Sequence, residues 1–543
     1  MTVSTSSGAP GNALAPDDLL ATLQSPEVYP YEPERIDLVQ THISIVALAP
    51  PYVYKVKKPV DFDFLDFSTL AERRHFCQRE VELNRRLCAP IYEGVVPISQ
   101  TDTGLRLEDD SNVVEYAVKM KYLEHEHFLN QKSQRDQLTR ADLDRVVDAL
   151  TAFYAERDPT PEIAAAGRTA RIKENTDENF EQTADHVGTL LSRPAFEAIR
   201  YATDRFYDQH ALLLNRRRAH GHIVDAHGDL RLEHIHLTPE HACIYDCIEF
   251  NERFRHIDVA NDIAFLAMDL DVHGHPDLAR YVVRRMTNAL DDPELPRLVD
   301  FYKNYRAFVR GKVKGLQSTE PEIPADERAE SQRRARRFYQ WSLRYSVSGS
   351  RPLVIVVMGG VGTGKSTQAT ALGEALGWDV VSSDRLRKSI ADVPLYERAD
   401  DATREQLYTT EMSQKTYGRL IDTAVERGRD ERGIVLDATF SRRVYRDRLR
   451  ERLAEAQIPH VFVELTADLD TLKQRLAARE GASDVVSDAR LPDFEMLMAR
   501  YEAPDALEDP FHIHASADAD PEDTTTDILK HLVRLKRKPA SEA

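Results

Sequence analysis

A run of six apolar residues, a glycine-rich loop and a helical pattern, in immediate succession, constrain this chain more than any other feature. LVIVVM (353–358) reads as a strand buried on both faces, GGVGTGKST follows at once, and TQATALGEALG has helical spacing. A strand that runs straight into a loop opening a helix is the repeating unit of a parallel sheet with helices on its faces. The glycines free the backbone to curl until its N–H groups converge, and the helix N-terminus adds positive potential at the same point. Such a loop holds phosphate.

The residues of the loop divide the work. The backbone of Gly359, Gly360, Val361, Gly362, Thr363 and Gly364 lines the phosphates, with Ser366 and Thr367 opening the helix. Lys365 is expected to reach the outer phosphates of ATP, and the Ser366 hydroxyl to hold Mg2+. The next strand, WDVVSSD, carries Asp384 toward the carboxyl edge of the sheet, where open parallel sheets bind ligands. A carboxylate there can take the proton of an attacking hydroxyl, while Arg387 can grip an anionic substrate. GIVLDATF ends near Asp437, which either orients a magnesium ligand or caps the next helix. In LDTLKQRLAARE, Arg475 and Arg479 share one helical face, as lid residues or as surface ion-pair partners.

GGVGTGKST, SSDRLRK, VLDATFSRRVYRDRLR and LKQRLAARE together resemble the small P-loop kinases related to gluconate kinase, polynucleotide kinase and the zeta-type toxins, over Pro352 to about Asp509. The resemblance implies that Asp384 is the base and that Arg475 and Arg479 belong to the lid. That family phosphorylates sugars, nucleic-acid ends and nucleotide sugars, so the acceptor stays open.

At 543 residues the chain is long enough for two or three domains. SVSGSRP (346–352) is the expected linker, preceding a P-loop domain over 353–543. Residues 31–345 form the expected N-terminal domain, with a small α+β lobe over about 31–123 and a helix-rich lobe over about 124–345. Residues 1–30 are expected to be a flexible tail.

In the N-terminal domain HGDLRLEH places Asp229 on a tight loop, Asp246 lies twelve residues beyond His234, and Lys55 or Lys57 stands on a strand before a helix carrying Glu80. With VKMKYL as a hinge and NDIAFLAMDL as a following helix, these segments resemble the aminoglycoside phosphotransferase and choline kinase superfamily, of protein-kinase-like fold. The resemblance implies that Asp229 is the base, Asp246 a metal ligand, and one of the two lysines a phosphate ligand paired with Glu80. His234 departs from the pattern, because that fold carries Asn there and magnesium prefers oxygen to an imidazole. Three readings stay open: catalysis with one metal, use of a softer ion, or a nucleotide-sensing lobe that regulates its neighbour. The dense histidines His220, His222, His227, His234 and His236 also raise a metal hydrolase, although the HGD loop already accounts for His227.

A formal net charge of −19 argues against nucleic acid as the main partner and so against a polynucleotide kinase. The four cysteines, Cys77, Cys88, Cys243 and Cys247, lack zinc-site spacing and read as buried free thiols. No signal peptide or membrane span is visible, so a cytoplasmic protein is expected, its oligomeric state unspecified. The expectation is a bifunctional kinase that uses ATP and Mg2+ to phosphorylate small hydroxyl acceptors, or a P-loop kinase gated by a sensing lobe, with a polynucleotide 5′-kinase-like activity as the third reading.

Overall fold

The computed structural model describes residues 16–536, apart from 63, 157–158, 322, 397–399, 430–432, 480–485, 487–489 and 506–511. The chain divides into two compact units, one of Met1–Ile172 with Ala211–Val299 and one of Lys173–His210 with Asp300–Ala543.

The first unit is built on a six-stranded antiparallel sheet, in the spatial order Asp37–Gln40, Ser44–Ala49, Tyr52–Lys57, Val113–Lys121, Tyr92–Thr101 and Gly104–Leu107. Alternation along these strands sends Ile45, Ala47, Tyr54, Val56 and Ala117 to one face, where they form a core. Leu19 and Leu23 of the helix Pro16–Leu23 join that core. The expected tail is therefore ordered from Pro16, because two leucines four residues apart cover sheet surface that would otherwise face water; residues 1–15 lie outside the described part.

The helix Leu70–Cys88 lies on the opposite face, where Cys77, Val81 and Cys88 pack with Val53, Val118 and Met120. Thr69 caps it by accepting from the Glu72 N–H at 3.1 Å. Beyond the sheet, the helix Arg140–Ala155 starts with the capping box read from Thr139 and Asp142. The helix Val259–Val272 is buried along its whole length, and two short antiparallel ribbons join Ile235–Leu237 to Ala242–Ile244 and Ile223–Asp225 to His256–Asp258.

One expectation for the cysteines is corrected. Cys88 and Cys243 are paired in a disulfide with Cα atoms 4.7 Å apart, while Cys77 and Cys247 are free and buried. The partners are 155 residues apart, a separation at which packing alone decides proximity.

The second unit holds a five-stranded parallel sheet, in the order Asp379–Ser382, Ile434–Asp437, Val354–Gly359, His460–Thr466 and His512–Ser516. Its central strand is apolar throughout because both faces are covered. Ile355 and Val357 meet Ala369, Leu372, Leu529 and Leu532 on one side, and Val354, Val356 and Met358 meet Leu420, Ile421 and Leu449 on the other.

This unit extends well upstream of the boundary expected from sequence. The helix Ala325–Val347 contributes Ala335, Tyr339, Leu343 and Val347 to the same core as Leu372, Leu376 and Leu532. Ser346 and Val347 are buried within it, so the stretch read as a linker begins inside a packed helix. The apolar stripe on that arginine-rich helix needs a partner, and the P-loop helix supplies one. No helix among the described residues is long and apolar enough to cross a membrane.

Candidate functional site

The P-loop leaves the central strand at Gly359, whose φ is +140°. A Cβ there would stand 2.4 Å from the Leu465 carbonyl oxygen, so the residue needs both the torsion and the space of glycine. Gly362 and Gly364 also take positive φ, at +81° and +85°. The Thr363 hydroxyl donates to Gly360 O at 2.9 Å and Lys365 Nζ to the same oxygen at 2.7 Å, which keeps the lysine folded over the loop.

The Ser366 hydroxyl donates to Asp437 Oδ2 at 2.7 Å. Asp437 closes the strand Ile434–Asp437, and Val357↔Asp437 register sets it beside the loop. Burial pushes its carboxyl above the usual range, against the pull of Lys365. Hydroxyl and carboxylate are both oxygen donors, the set that fits magnesium. Asp384 sits in the first turn of the helix Ser383–Ile390 and accepts from Arg387 Nη1 at 2.8 Å. The Arg387 guanidinium also lies 4.7 Å from the Tyr408 ring centroid.

Arg475, on the helix Leu469–Arg479, reaches the loop. Its Nη1 lies 3.7 Å from where a Cβ on Gly364 would stand, and its Nη2 donates to Ala517 O at 2.6 Å. Nη1 is buried and has no hydrogen-bond partner among the described residues. Arg479 ends the same helix, and its side chain lies outside the described residues.

In the first unit Lys55, Glu80 and Asp246 meet. Lys55 Nζ is 2.8 Å from both Glu80 Oε1 and Asp246 Oδ1. Lys57 sits one pleat further along the strand, fully buried, where it pairs with Glu80 Oε2 at 2.8 Å and with Glu249. Asp246 thus shares its carboxylate with Lys55 alone of the two lysines read as alternatives. Burial would raise the Asp246 carboxyl, but the charge of Lys55 prevails and holds it well below the usual carboxylate range.

Asp229 is gripped by Arg231, whose Nε and Nη2 donate to its two oxygens at 2.8 and 2.7 Å. His234 Nδ1–H donates to Asp229 O at 2.9 Å, and its Nε2 stands 3.4 Å from Asp246 Oδ2. Possible ligand atoms of Asp229, His234 and Asp246 all lie within 4.8 Å of one another. Two carboxylates and one imidazole suit magnesium poorly and a softer divalent ion better. His227 and His236 are engaged with backbone instead: His227 Nε2–H donates to Tyr245 O at 2.9 Å and His236 Nε2 lies 3.2 Å from Glu124 O.

Sequence reasoning passed over three of these residues. Arg231 is two residues beyond Asp229, and the repeated acid–base alternation of GDLRLE was its only signal. Glu249 pairs with a lysine 192 residues away and left none. Asp262 accepts from the backbone N–H of His227 at 2.9 Å and of Gly228 at 3.0 Å, and from the Tyr154 hydroxyl at 2.7 Å. A lone acid within the apolar run of VANDIAFLAM was readable as a residue with buried donors to satisfy.

A five-stranded parallel sheet whose central strand ends in this loop, with Ser366 on Asp437, defines a P-loop nucleotide-binding domain. The AAA domain family model matches residues 354–504. A gluconokinase of Gluconobacter oxydans is 30% identical over 133 residues, which cover 24% of this chain and 68% of that protein. Through this domain the chain belongs to the P-loop kinase family that includes gluconokinase. An uncharacterized protein of Mycobacterium tuberculosis is 28% identical over 467 residues, 86% of this chain and 90% of its own. The crystal structure of a gluconokinase from Sinorhizobium meliloti, 23% identical, covers 34% of this chain and 93% of its own at a TM-score of 0.26.

Proposed function

We propose that the protein is an ATP-dependent phosphotransferase in which the P-loop domain passes the terminal phosphate of ATP to the hydroxyl of a small molecule. The observation that carries this reading is Arg475 Nη1, a buried cationic nitrogen without a partner among the described residues, set against the P-loop. A desolvated guanidinium N–H is costly unless an anion completes it, and a transferring phosphoryl group is such an anion. Loop amides and Lys365 would hold the triphosphate, and Ser366 and Asp437 would hold magnesium, which supplies charge neutralisation on the phosphate oxygens. Asp384 would take the acceptor proton, with Arg387 orienting its carboxylate. The net charge of −19 favours a small acceptor over a nucleic-acid end.

The first unit is read as a second phosphotransfer centre of the aminoglycoside phosphotransferase type, with Asp229 as base and Lys55, paired with Glu80, on phosphate. Its support is the fixed loop His227–Asp229 facing Asp246. A sensing lobe is favoured instead by the two-point clamp of Arg231 on Asp229, which neutralises the base. Radiolabelled ATP offered to the full chain with pools of sugars, nucleosides, aminoglycosides and oligonucleotides separates these readings. Transfer lost in Lys365→Ala supports the P-loop reaction, and a second acceptor lost only in Asp229→Ala supports two centres. Equal ATP consumption by wild type and Lys365→Ala would sink the proposal.

A further inference from the structure

The last two strands of the parallel sheet carry a group of side chains that phosphotransfer does not use. Their register sets Phe462 opposite His512 and Glu464 opposite His514. Since side chains alternate along a strand, the two histidines and Glu464 share one face at the sheet edge. The side chain of Glu464 is 6% exposed, and its Oε1 accepts from the Tyr501 hydroxyl at 2.7 Å. That bond fixes the carboxylate and turns Oε2 toward the imidazoles, with His514 Nδ1 at 2.9 Å and His512 Nε2 at 3.9 Å. The two rings are stacked, centroids 4.5 Å apart and planes 19° from parallel. One ligand atom from each residue lies within 4.8 Å of the other two.

A tetrahedral ion with bonds of about 2.0–2.1 Å sets its ligand atoms about 3.3 Å apart. The two distances to Oε2 bracket that spacing. We propose that Glu464, His512 and His514 form a site for a divalent transition ion of the Zn2+ class, with water in the fourth position. Two imidazoles and one carboxylate select such an ion over magnesium, so this site and the P-loop site of Ser366 and Asp437 take different metals. Tyr501 acts as the outer partner that orients the carboxylate. The ion joins the edge strand His512–Ser516 to its neighbour, fastening the edge of the sheet.

The test is titration of the full-length, chelator-stripped protein with Co2+ in excess Mg2+, read by visible absorption. The expected result, in His234→Asn, which removes the imidazole of the other cluster, is a d–d band of a low-coordinate ion that saturates at one equivalent and is bleached by Zn2+. In that background His514→Ala alters an exposed side chain and should weaken binding at least about 10-fold, and Tyr501→Phe up to about 10-fold. No band in His234→Asn, or a band unchanged when His514→Ala is added to it, would each overturn the assignment.

Discussion

The Ser366 hydroxyl donates to Asp437 Oδ2 at 2.7 Å, tying the first turn of the P-loop helix to the end of the adjacent strand. Asp437→Asn keeps an acceptor but removes the charge. It should weaken the Mg2+ dependence of ATP turnover by about 10–100-fold, measured as the half-saturating Mg2+ concentration at fixed ATP. An unchanged Mg2+ curve would leave Asp437 a cap and nothing more.

Asp384, held by Arg387 at 2.8 Å, is proposed to take the acceptor proton and not to bind the nucleotide. Asp384→Asn should lower kcat by about 10²–10⁴ while the KM for ATP moves little. A rise in KM with kcat intact would place the residue on binding instead.

Gly359→Ala brings a methyl group to 2.4 Å from Leu465 O at a φ of +140°. The backbone of two adjacent strands would have to part. The expected cost is about 1–3 kcal/mol, with loss of ATP binding, read by urea unfolding of the full chain and by fluorescent nucleotide titration.

His227 is held neutral: Nε2–H donates to Tyr245 O at 2.9 Å while Nδ1 accepts from the Asp229 N–H at 3.2 Å. Burial lowers its pKa below the ordinary 6.5. The unfolded chain therefore binds the proton first, so stability is complete above pH 6.5 and declines as the pH falls from there toward the folded value. The slope of melting temperature against pH between 6.5 and 5 should be shallower in His227→Gln than in the wild type, and equal slopes would refute the assignment.

Asp262→Ala orphans two backbone N–H groups and the Tyr154 hydroxyl in the interior. A loss of about 3 kcal/mol or more is expected in the unit that holds the His227–Asp229 loop. Hydrogen exchange at Gly228 and Asp229 should rise together with it; protected amides there would show that other contacts fix the loop.

Local chemistry alone made some of this legible. The strand, loop and helix of 353–377 depend on torsions and hydrogen bonds among near neighbours, as does the capping box at Thr139 and Asp142, and each was readable in the order of residues. The period of two also put Lys55 and Lys57 on one strand face, yet only packing against a helix and a distant loop gave Asp246 to Lys55 and Glu249 to Lys57. The Cys88–Cys243 pair, the joining of Ala325–Val347 to the P-loop core and the gathering of Glu464 with two histidines are likewise tertiary. Residues far apart in sequence meet where apolar faces and buried charges find their partners, and no window of neighbouring residues holds that information.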